Sequence, residues 1–370
     1  MTTPLRRVTL VSPYALSVPG GVQEQVLAMS RELERRGVGV YVVAPDADDD
    51  QVYDTPARVE RFGRLVSVAA NGSRAPLTLS GAASRAAFAR ISRFDPDVVH
   101  FHEPFAPRLG YQTLRSHAFA AVGTFHRSGE GPAVSLAAPW LRRWARSLDA
   151  SAAVSEQAAH TARRSCGLEP VRLFNGFETE RFIEFPRERQ DVTTLVVVGR
   201  LEERKGVATA IDALRAHNER GAPPWRLVVV GDGPERAALE ARAGSAAVLF
   251  TGRVSDEEKR RWYRRADVVV APATRGESFG LILLEAMASE TPVVASDIPG
   301  YREAAQGHAG LFQAGSATEL EKAVDLVLMR GDDGALAAAR EHAGHWSMAH
   351  LVDRYLELYE FARRDFSALD

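Results

Sequence analysis

Two glutamates carry the sharpest chemical signal in this 370-residue chain: Glu277 and Glu285 bracket Ser-Phe-Gly-Leu-Ile-Leu-Leu. The spacing predicts a loop carboxylate at 277 and a helical one at 285, with the amides of Phe279, Gly280 and Leu281 at the helix start. Carboxylates accept hydrogen bonds from sugar or ribose hydroxyls, and unpaired amides at a helix start attract phosphate. A second element supplies cations. In Val196-Val-Val-Gly-Arg-Leu-Glu-Glu-Arg-Lys-Gly206, Arg200 and Lys205 leave an apolar run and precede a helix from Val207. A guanidinium grips two oxygens in fixed geometry and an ammonium is a compact point charge, a pairing suited to a diphosphate. There they would stabilise charge as a leaving group departs. Arg204, in the same run, reads as part of a solvated basic loop.

The first half offers gentler chemistry. Pro13-Tyr-Ala-Leu-Ser-Val-Pro-Gly-Gly21 ends in Gly20 and Gly21 and opens a helix at Val22, so backbone can approach an anion closely. The pattern is not G-x-G-x-x-G, and no dinucleotide site is indicated. His100 and His102 sit two apart at a strand end and share a face, but no third ligand stands at metal spacing. His126 also follows a strand. Asp46-Ala-Asp48 lies in an acidic loop and reads as solvated.

The elements that position these groups alternate short apolar runs with longer amphipathic ones. Runs at 8–12, 39–44, 97–101, 120–125, 195–199, 226–231, 248–251, 268–271 and 292–295 read as buried parallel strands. Helical spacing of Val22, Val26, Met29, Leu33 and Arg36 typifies the segments between them. This order predicts an α/β fold with two doubly wound parallel sheets. The charged, proline-interrupted stretch 182–193 marks the boundary, giving domains 1–182 and 193–345. Residues 346–370 hold an amphipathic helix with Leu351, Tyr355, Leu358 and Phe361 on its apolar face.

Composition excludes several classes. Apolar residues make up 45% and charged residues 25%, with 46 basic against 48 acidic side chains and a net charge of −2. No overall field draws the chain to nucleic acid. A single cysteine, Cys166, forbids an intrachain disulfide and a thiolate metal cluster. No run approaches the roughly 20 apolar residues of a membrane span, and the start has no signal-peptide pattern. The expected setting is cytoplasmic.

Taken in order, these elements resemble the retaining GT-B glycosyltransferases of family 4 over essentially the full length. The resemblance rests on Pro19-Gly-Gly-Val-Gln23, His100-Phe-His-Glu-Pro104, Thr124-Phe-His126, Ala153-Val-Ser155, Asn175-Gly176, Gly199-Arg200, Lys205-Gly206, Gly231-Asp-Gly-Pro234 and Glu277 through Glu285. Within the family it is most similar to the actinobacterial phosphatidylinositol mannosyltransferases, through residues 11–23 and Ala70-Asn-Gly-Ser73. The resemblance implies two Rossmann-like domains facing a cleft, with the final helix returning to the first. It implies a hexose, mannose from GDP-mannose, moved to a lipid or small-molecule acceptor such as phosphatidylinositol. The nucleotide sugar is a co-substrate, with no tightly bound cofactor and no metal requirement.

Carried over by resemblance, Gly20 and Gly21 approach the donor phosphate, and Arg200 and Lys205 bind the diphosphate. Glu277 holds the hexose with the Phe279, Gly280 and Leu281 amides, Glu285 holds the ribose, and the base lies beside Gly252 and Val254. His126 lies over the sugar. Tyr14, Gln23, Asn71, Gly72, Ser73 and His126 face the acceptor. The catalytic set is Arg200, Lys205, Glu277 and His126. With no carboxylate placed as a nucleophile, same-face transfer is implied.

This sequence departs from the pattern in places. The enzymes resembled carry a basic residue where Pro76 stands, and their polar residues after the histidine are replaced by Arg127-Ser-Gly-Glu-Gly131. Their lysine-rich membrane helix corresponds to 84–94, with only Arg85, Arg90 and Arg93. At about 1 kcal/mol for each basic residue, three would anchor weakly to an anionic inner membrane face. Trp140-Leu-Arg-Arg-Trp-Ala-Arg146 offers another basic-aromatic face. The rival readings are a UDP-sugar-dependent transferase with another acceptor, a nucleotide-sugar 2-epimerase and a non-catalytic nucleotide-sugar binder.

Overall fold

A computed structural model describes residues 4–368 apart from 19, 46–51, 71–72, 106–108, 127–131, 189, 278 and 332, with backbone alone at 67–70, 73–77 and 132–137. The chain divides into two compact units, Met1–Phe177 with Met348–Asp370, and Glu178–Ser347. The division precedes the boundary expected at 182–193. Residues Thr179–Ile183 form a 3₁₀ turn that belongs to the second unit, and buried Phe182 packs against Tyr263 at 5.9 Å between ring centres.

In the first unit the strands are β1 (Arg7–Val11), β2 (Gly39–Pro45), β3 (Arg58–Phe62), β4 (Val66–Ala70), β5 (Ser73–Leu77), β6 (Val98–His102), β7 (Ala120–Phe125), β8 (Ala150–Ala153) and β9 (Val171–Arg172). Seven of them form a parallel sheet in the order β3-β2-β1-β6-β7-β8-β9, while β4 and β5 pair as an antiparallel hairpin. The helices are α1 (Gly21–Arg35), α2 (Gly81–Phe94), α3 (Tyr111–Ser116), α4 (Pro132–Ala145) and α5 (Glu156–Cys166).

The second unit holds β10 (Thr193–Val198), β11 (Trp225–Val230), β12 (Val248–Gly252), β13 (Val268–Ala271), β14 (Val293–Ser296) and β15 (Gly310–Phe312), in the parallel order β12-β11-β10-β13-β14-β15. Its helices are α6 (Val207–Glu219), α7 (Arg236–Ala243), α8 (Asp256–Arg265), α9 (Leu281–Ala288), α10 (Pro299–Ala305), α11 (Ala317–Arg330) and α12 (Asp333–Gly344). Ser255 and Ser316 cap α8 and α11 by accepting from the Glu258 and Glu319 amides, the serine-to-glutamate spacing of a capping box.

Both sheets reverse strand order beside their first strand, between β1 and β6 and between β10 and β13. Ligands of open α/β sheets bind outside the carboxyl ends of the strands at such a reversal. Val-rich strands make this possible, because both faces of each sheet lie under helices and only the strand ends stay open. Two glycines bring the strand-end loops of the second unit together. Gly206 has φ +67°, and a Cβ there would strike the Pro272 carbonyl; Gly231 has φ +140°, and a Cβ there would strike the Gly199 carbonyl. Only glycine fits such positions without moving backbone.

The last helix, α13 (Met348–Ser367), packs on α1 and on the strands of the first unit. Its buried stripe is Leu351, Val352, Tyr355, Leu358, Tyr359 and Ala362. Phe361, expected on that face, is 52% exposed. At 100° per residue the stripe set by 351, 355, 358 and 362 leaves 361 to one side. Arg36 fastens the helix by pairing with Asp353 and donating to the Ala349 carbonyl at 2.7 Å.

Candidate functional site

At the strand reversal of the second unit, Val198, Gly199, Arg200, Lys205, Pro272 and Tyr301 line a pocket, with Ile282 of α9 at its side. Lys205 ends a 3₁₀ turn (Glu203–Lys205) whose cap, Gly206, starts α6. The Lys205 ammonium lies 2.8 Å from Glu277 Oε1, and the Arg204 guanidinium meets the same oxygen at 2.8 Å. Oε2 of Glu277 therefore keeps its accepting capacity among the described residues, so a hydroxyl can be bound without breaking either ion pair.

Arg204 is not the solvated loop residue expected from sequence. It also donates to the Gly276 carbonyl at 3.1 Å and to Glu202 at 2.9 Å, tying the β10 loop to the Glu277 loop. Arg200 is the more open cation: its side chain is 66% exposed, and it meets Glu202 at 3.1 Å. Burial first, then the charge of Glu277, raises the Tyr301 phenol above its ordinary value, so it stays protonated.

Glu285 lies on the second turn of α9 and is only 13% exposed. One oxygen meets Lys259 at 3.0 Å and the other accepts from Tyr263 at 2.7 Å. Burial disfavours the Lys259 charge, but Glu285 and then Asp256 outweigh it and raise the ammonium above its ordinary value. Phe279 is half-buried and approaches Trp346 at 6.0 Å, while Gly280 caps α9 at φ +74°. Gly252 ends β12 and accepts from the Gly231 amide at 2.9 Å, with half-buried Val254 beyond exposed Arg253.

In the first unit, Ser12, Pro13, His102, Glu103 and Pro104 line a pocket at the strand reversal. Three histidines gather beside it. His100, fully buried, meets the Tyr359 hydroxyl at 2.8 Å and the Thr124 hydroxyl at 2.7 Å, and Thr124 meets Tyr355 at 2.8 Å. His102 stacks on His100 with ring centres 4.4 Å apart, and its Nδ1 lies 2.9 Å from His126 Nε2. The His126 amide donates to Glu103 at 2.6 Å. Burial lowers all three histidines, His100 to about 3 and His126 to about 4. They are neutral at pH 7.

Gly20 caps α1 with extended backbone, and Gly21 is exposed with open space where a side chain would lie. Gln23 is buried, and its amide nitrogen donates to the Val18 carbonyl at 3.0 Å and the Ala15 carbonyl at 3.4 Å. That nitrogen holds the loop in shape. Tyr14 is half-buried. Asn71 and Gly72 lie outside the described residues, as do 46–48 and 127–131, and Ser73 begins β5. Asn175-Gly176 serves packing, since the Gln25 carboxamide pairs with both backbone groups of Gly176. Cys166 is buried, and burial pushes its thiol up to about 12.

Sequence reasoning missed Arg204, Lys259, Tyr263 and the hydroxyls of Tyr355 and Tyr359. Tyr355 was legible only as an apolar position of the last helix, and Tyr263 and Tyr359 carried no signal of their own. Buried His217 and Glu321 and half-buried Asp325 also gather between α6 and α11, where His217 meets Glu321 at 3.1 Å and Arg220 pairs with the same glutamate.

Comparison with known proteins agrees with this layout. Residues 19–181 match the model described as Glycosyltransferase Family 4, and residues 178–342 match Glycosyl transferases group 1. A phosphatidyl-myo-inositol mannosyltransferase of Mycobacterium leprae is 34% identical over 96% of this chain and 96% of its own. One from Propionibacterium freudenreichii is 30% identical over 98% and 96%. Among solved structures, a glycosyltransferase from Rickettsia africae superposes with TM-score 0.74 at 16% identity, over 97% of this chain and 98% of that one. HepE from Anabaena, in complex with UDP and glucose, gives 0.68 at 17%, over 95% and 98%. The protein is an enzyme of the GT-B glycosyltransferases and belongs to family 4, together with the phosphatidyl-myo-inositol mannosyltransferases.

Proposed function

We propose that the protein is a retaining mannosyltransferase that moves mannose from GDP-mannose to phosphatidylinositol. The similarity to phosphatidyl-myo-inositol mannosyltransferases over nearly the whole chain carries this reading. The site chemistry supports it. Lys205 and Arg200 provide positive charge at the edge of the second sheet, where a diphosphate would gain charge as it leaves. Glu277, held by Lys205 and Arg204, binds hexose hydroxyls through its open oxygen. Glu285 accepts from the ribose, the Phe279, Gly280 and Leu281 amides face phosphate or sugar, and the base lies beside Gly252 and Val254. In the first unit, Gly20 and Gly21 approach the donor phosphate, and His126 reaches the sugar. Tyr14 binds the acceptor, a role the family resemblance also gives to Asn71, Gly72 and Ser73. The acceptor hydroxyl attacks on the face the diphosphate leaves, keeping the anomeric configuration.

Association with an anionic membrane surface would be weak. Arg90 of α2 already meets Glu60 at 3.4 Å, which leaves Arg85 and Arg93 as the freer cations of that helix. On α4, Trp140 is 68% exposed while Trp144 packs on Tyr111. Among the described residues no helix is long and apolar enough to cross a membrane.

The test is a thermal-shift panel with GDP-mannose, UDP-glucose, UDP-N-acetylglucosamine and the free diphosphates, followed by transfer to phosphatidylinositol vesicles. Stabilisation by GDP-mannose and an α-mannosyl lipid product are expected. A response confined to UDP-sugars would overturn the donor, and a β-linked product the retaining course.

A further inference from the structure

We infer that His102 is a positioning residue that holds His126 in the tautomer with its proton on Nδ1, making His126 a hydrogen-bond donor to a substrate oxygen. The functional half of this inference rests on the mannosyltransferase reading above; the tautomer itself does not.

The two rings meet edge to edge from neighbouring strands. His102 ends β6, paired in register with Thr124 of β7, and His126 follows the last residue of β7. His102 Nδ1 and His126 Nε2 are 2.9 Å apart, so one donates to the other. Burial keeps both rings neutral at pH 7, each with one proton. Two arrangements are then possible.

If His126 donated from Nε2, the proton of His102 would sit on its own Nε2. That atom is buried and has no hydrogen-bond partner among the described residues, in a side chain only 2% exposed. Orphaned buried N–H groups are rare in folded proteins, and buried acceptors left short of a partner are somewhat less so. If His102 donates from Nδ1, its Nε2 is a bare acceptor and no buried N–H of His102 is orphaned. The second arrangement wins. It places the proton of His126 on Nδ1, which bonds to no described residue and belongs to a half-buried ring.

Neighbouring groups leave little freedom to escape this choice. His102 stacks on His100 with ring centres at 4.4 Å, and its ring centre lies 5.2 Å from that of His126 at 23° between planes, the arrangement of two rings joined edge to edge by the hydrogen bond. Both nitrogens of His100 are occupied by hydroxyls of Tyr359 and Thr124. The His126 backbone is pinned by Glu103. A His126 protonated on Nδ1 carries its donor on the nitrogen away from His102 and keeps its Nε2 lone pair on His102. It is therefore built to bind a hydroxyl or phosphate oxygen and is not placed to take a proton from the acceptor.

Selective ¹⁵N-histidine labelling of the full chain, with long-range proton–nitrogen correlation at pH 7, reads the tautomer directly. His126 is assigned by the signals lost in His126→Ala. A protonated Nδ1 and a bare Nε2 on His126 are expected; a protonated Nε2 would overturn the inference, whatever reaction the protein catalyses. Kinetics then test the positioning role. In His102→Asn the carboxamide nitrogen can replace Nδ1 as donor, and kcat should stay within about tenfold of the native enzyme; His102→Leu should lose about 100-fold in kcat with the donor KM within about threefold. Equal kcat in the Asn and Leu variants would contradict the role. Loss of all transfer in the native enzyme, beside the expected tautomer, would count against the mannosyltransferase reading alone.

Discussion

At the carboxyl edge of the second sheet the polar atoms are charged: Lys205 and Arg204 on Glu277, Lys259 on Glu285, and Arg200 beside Glu202. At the same edge of the first sheet the side-chain network is mostly neutral, a run of Tyr359, His100, Thr124 and Tyr355 with the hydrogen-bonded pair His102 and His126 beside it and Glu103 on the His126 amide. The difference shows how each unit manages burial. Half-buried cations are tolerated in the second unit because each has a carboxylate, and a diphosphate would bring further negative charge to the same place. In the first unit the Glu103 carboxylate accepts from the His126 backbone amide at 2.6 Å, while burial strips the charge of the three rings and leaves directional hydrogen bonds. On the proposed reading, one unit holds the donor's diphosphate and the other orients neutral hydroxyls.

The sharpest way to break this contrast is to remove the cation. Lys205→Ala should lower kcat by about 100- to 1,000-fold at saturating donor, with circular dichroism and melting temperature little changed. Glu277→Gln keeps the shape but deletes the charge shared by Lys205 and Arg204. It should cost about 10- to 100-fold in kcat/KM, measured with the same transfer assay.

On the neutral side the effect is one of stability against pH. His100 and His102 have folded values far below the unfolded value of 6.5, so the unfolded chain binds more protons between pH 6.5 and about 3. Stability is fully present above pH 6.5 and falls on acidification, by up to about 1.4 kcal/mol per pH unit for each histidine. Urea unfolding at pH 7, 6 and 5 should show this slope reduced in His100→Asn. The smallest effect is expected from Tyr359→Phe, which leaves His100 Nδ1 short of a partner and should cost about 1 kcal/mol by denaturant unfolding.

Much of this contrast was legible in the sequence. The Val-rich runs located nine strands to within a residue or two, because strands covered on both faces need near-continuous apolar residues. Ala150–Ala153 escaped notice, since alanine and serine carry no strand signal, and Arg58–Phe62 did because it is a half-exposed edge. Glu277, Glu285, Arg200 and Lys205 stood out by charge and spacing. Their partners did not. Arg204 is 73 residues from Glu277, and Lys259 and Tyr263 are 26 and 22 residues from Glu285, separations that only the fold closes. The α13 periodicity predicted a packed helix but could not say that Tyr355 and Tyr359 would place hydroxyls against Thr124 and His100.

The most direct test of the account is a calorimetric titration of GDP into the full-length native protein and its Lys205→Ala, Arg200→Ala and His126→Ala variants. The charged edge of the second unit should dominate: the first two variants should bind GDP at least about tenfold more weakly, and His126→Ala should bind it like the native protein. Native affinity in Lys205→Ala and Arg200→Ala, or a loss confined to His126→Ala, would contradict the assignment of the diphosphate to the second unit.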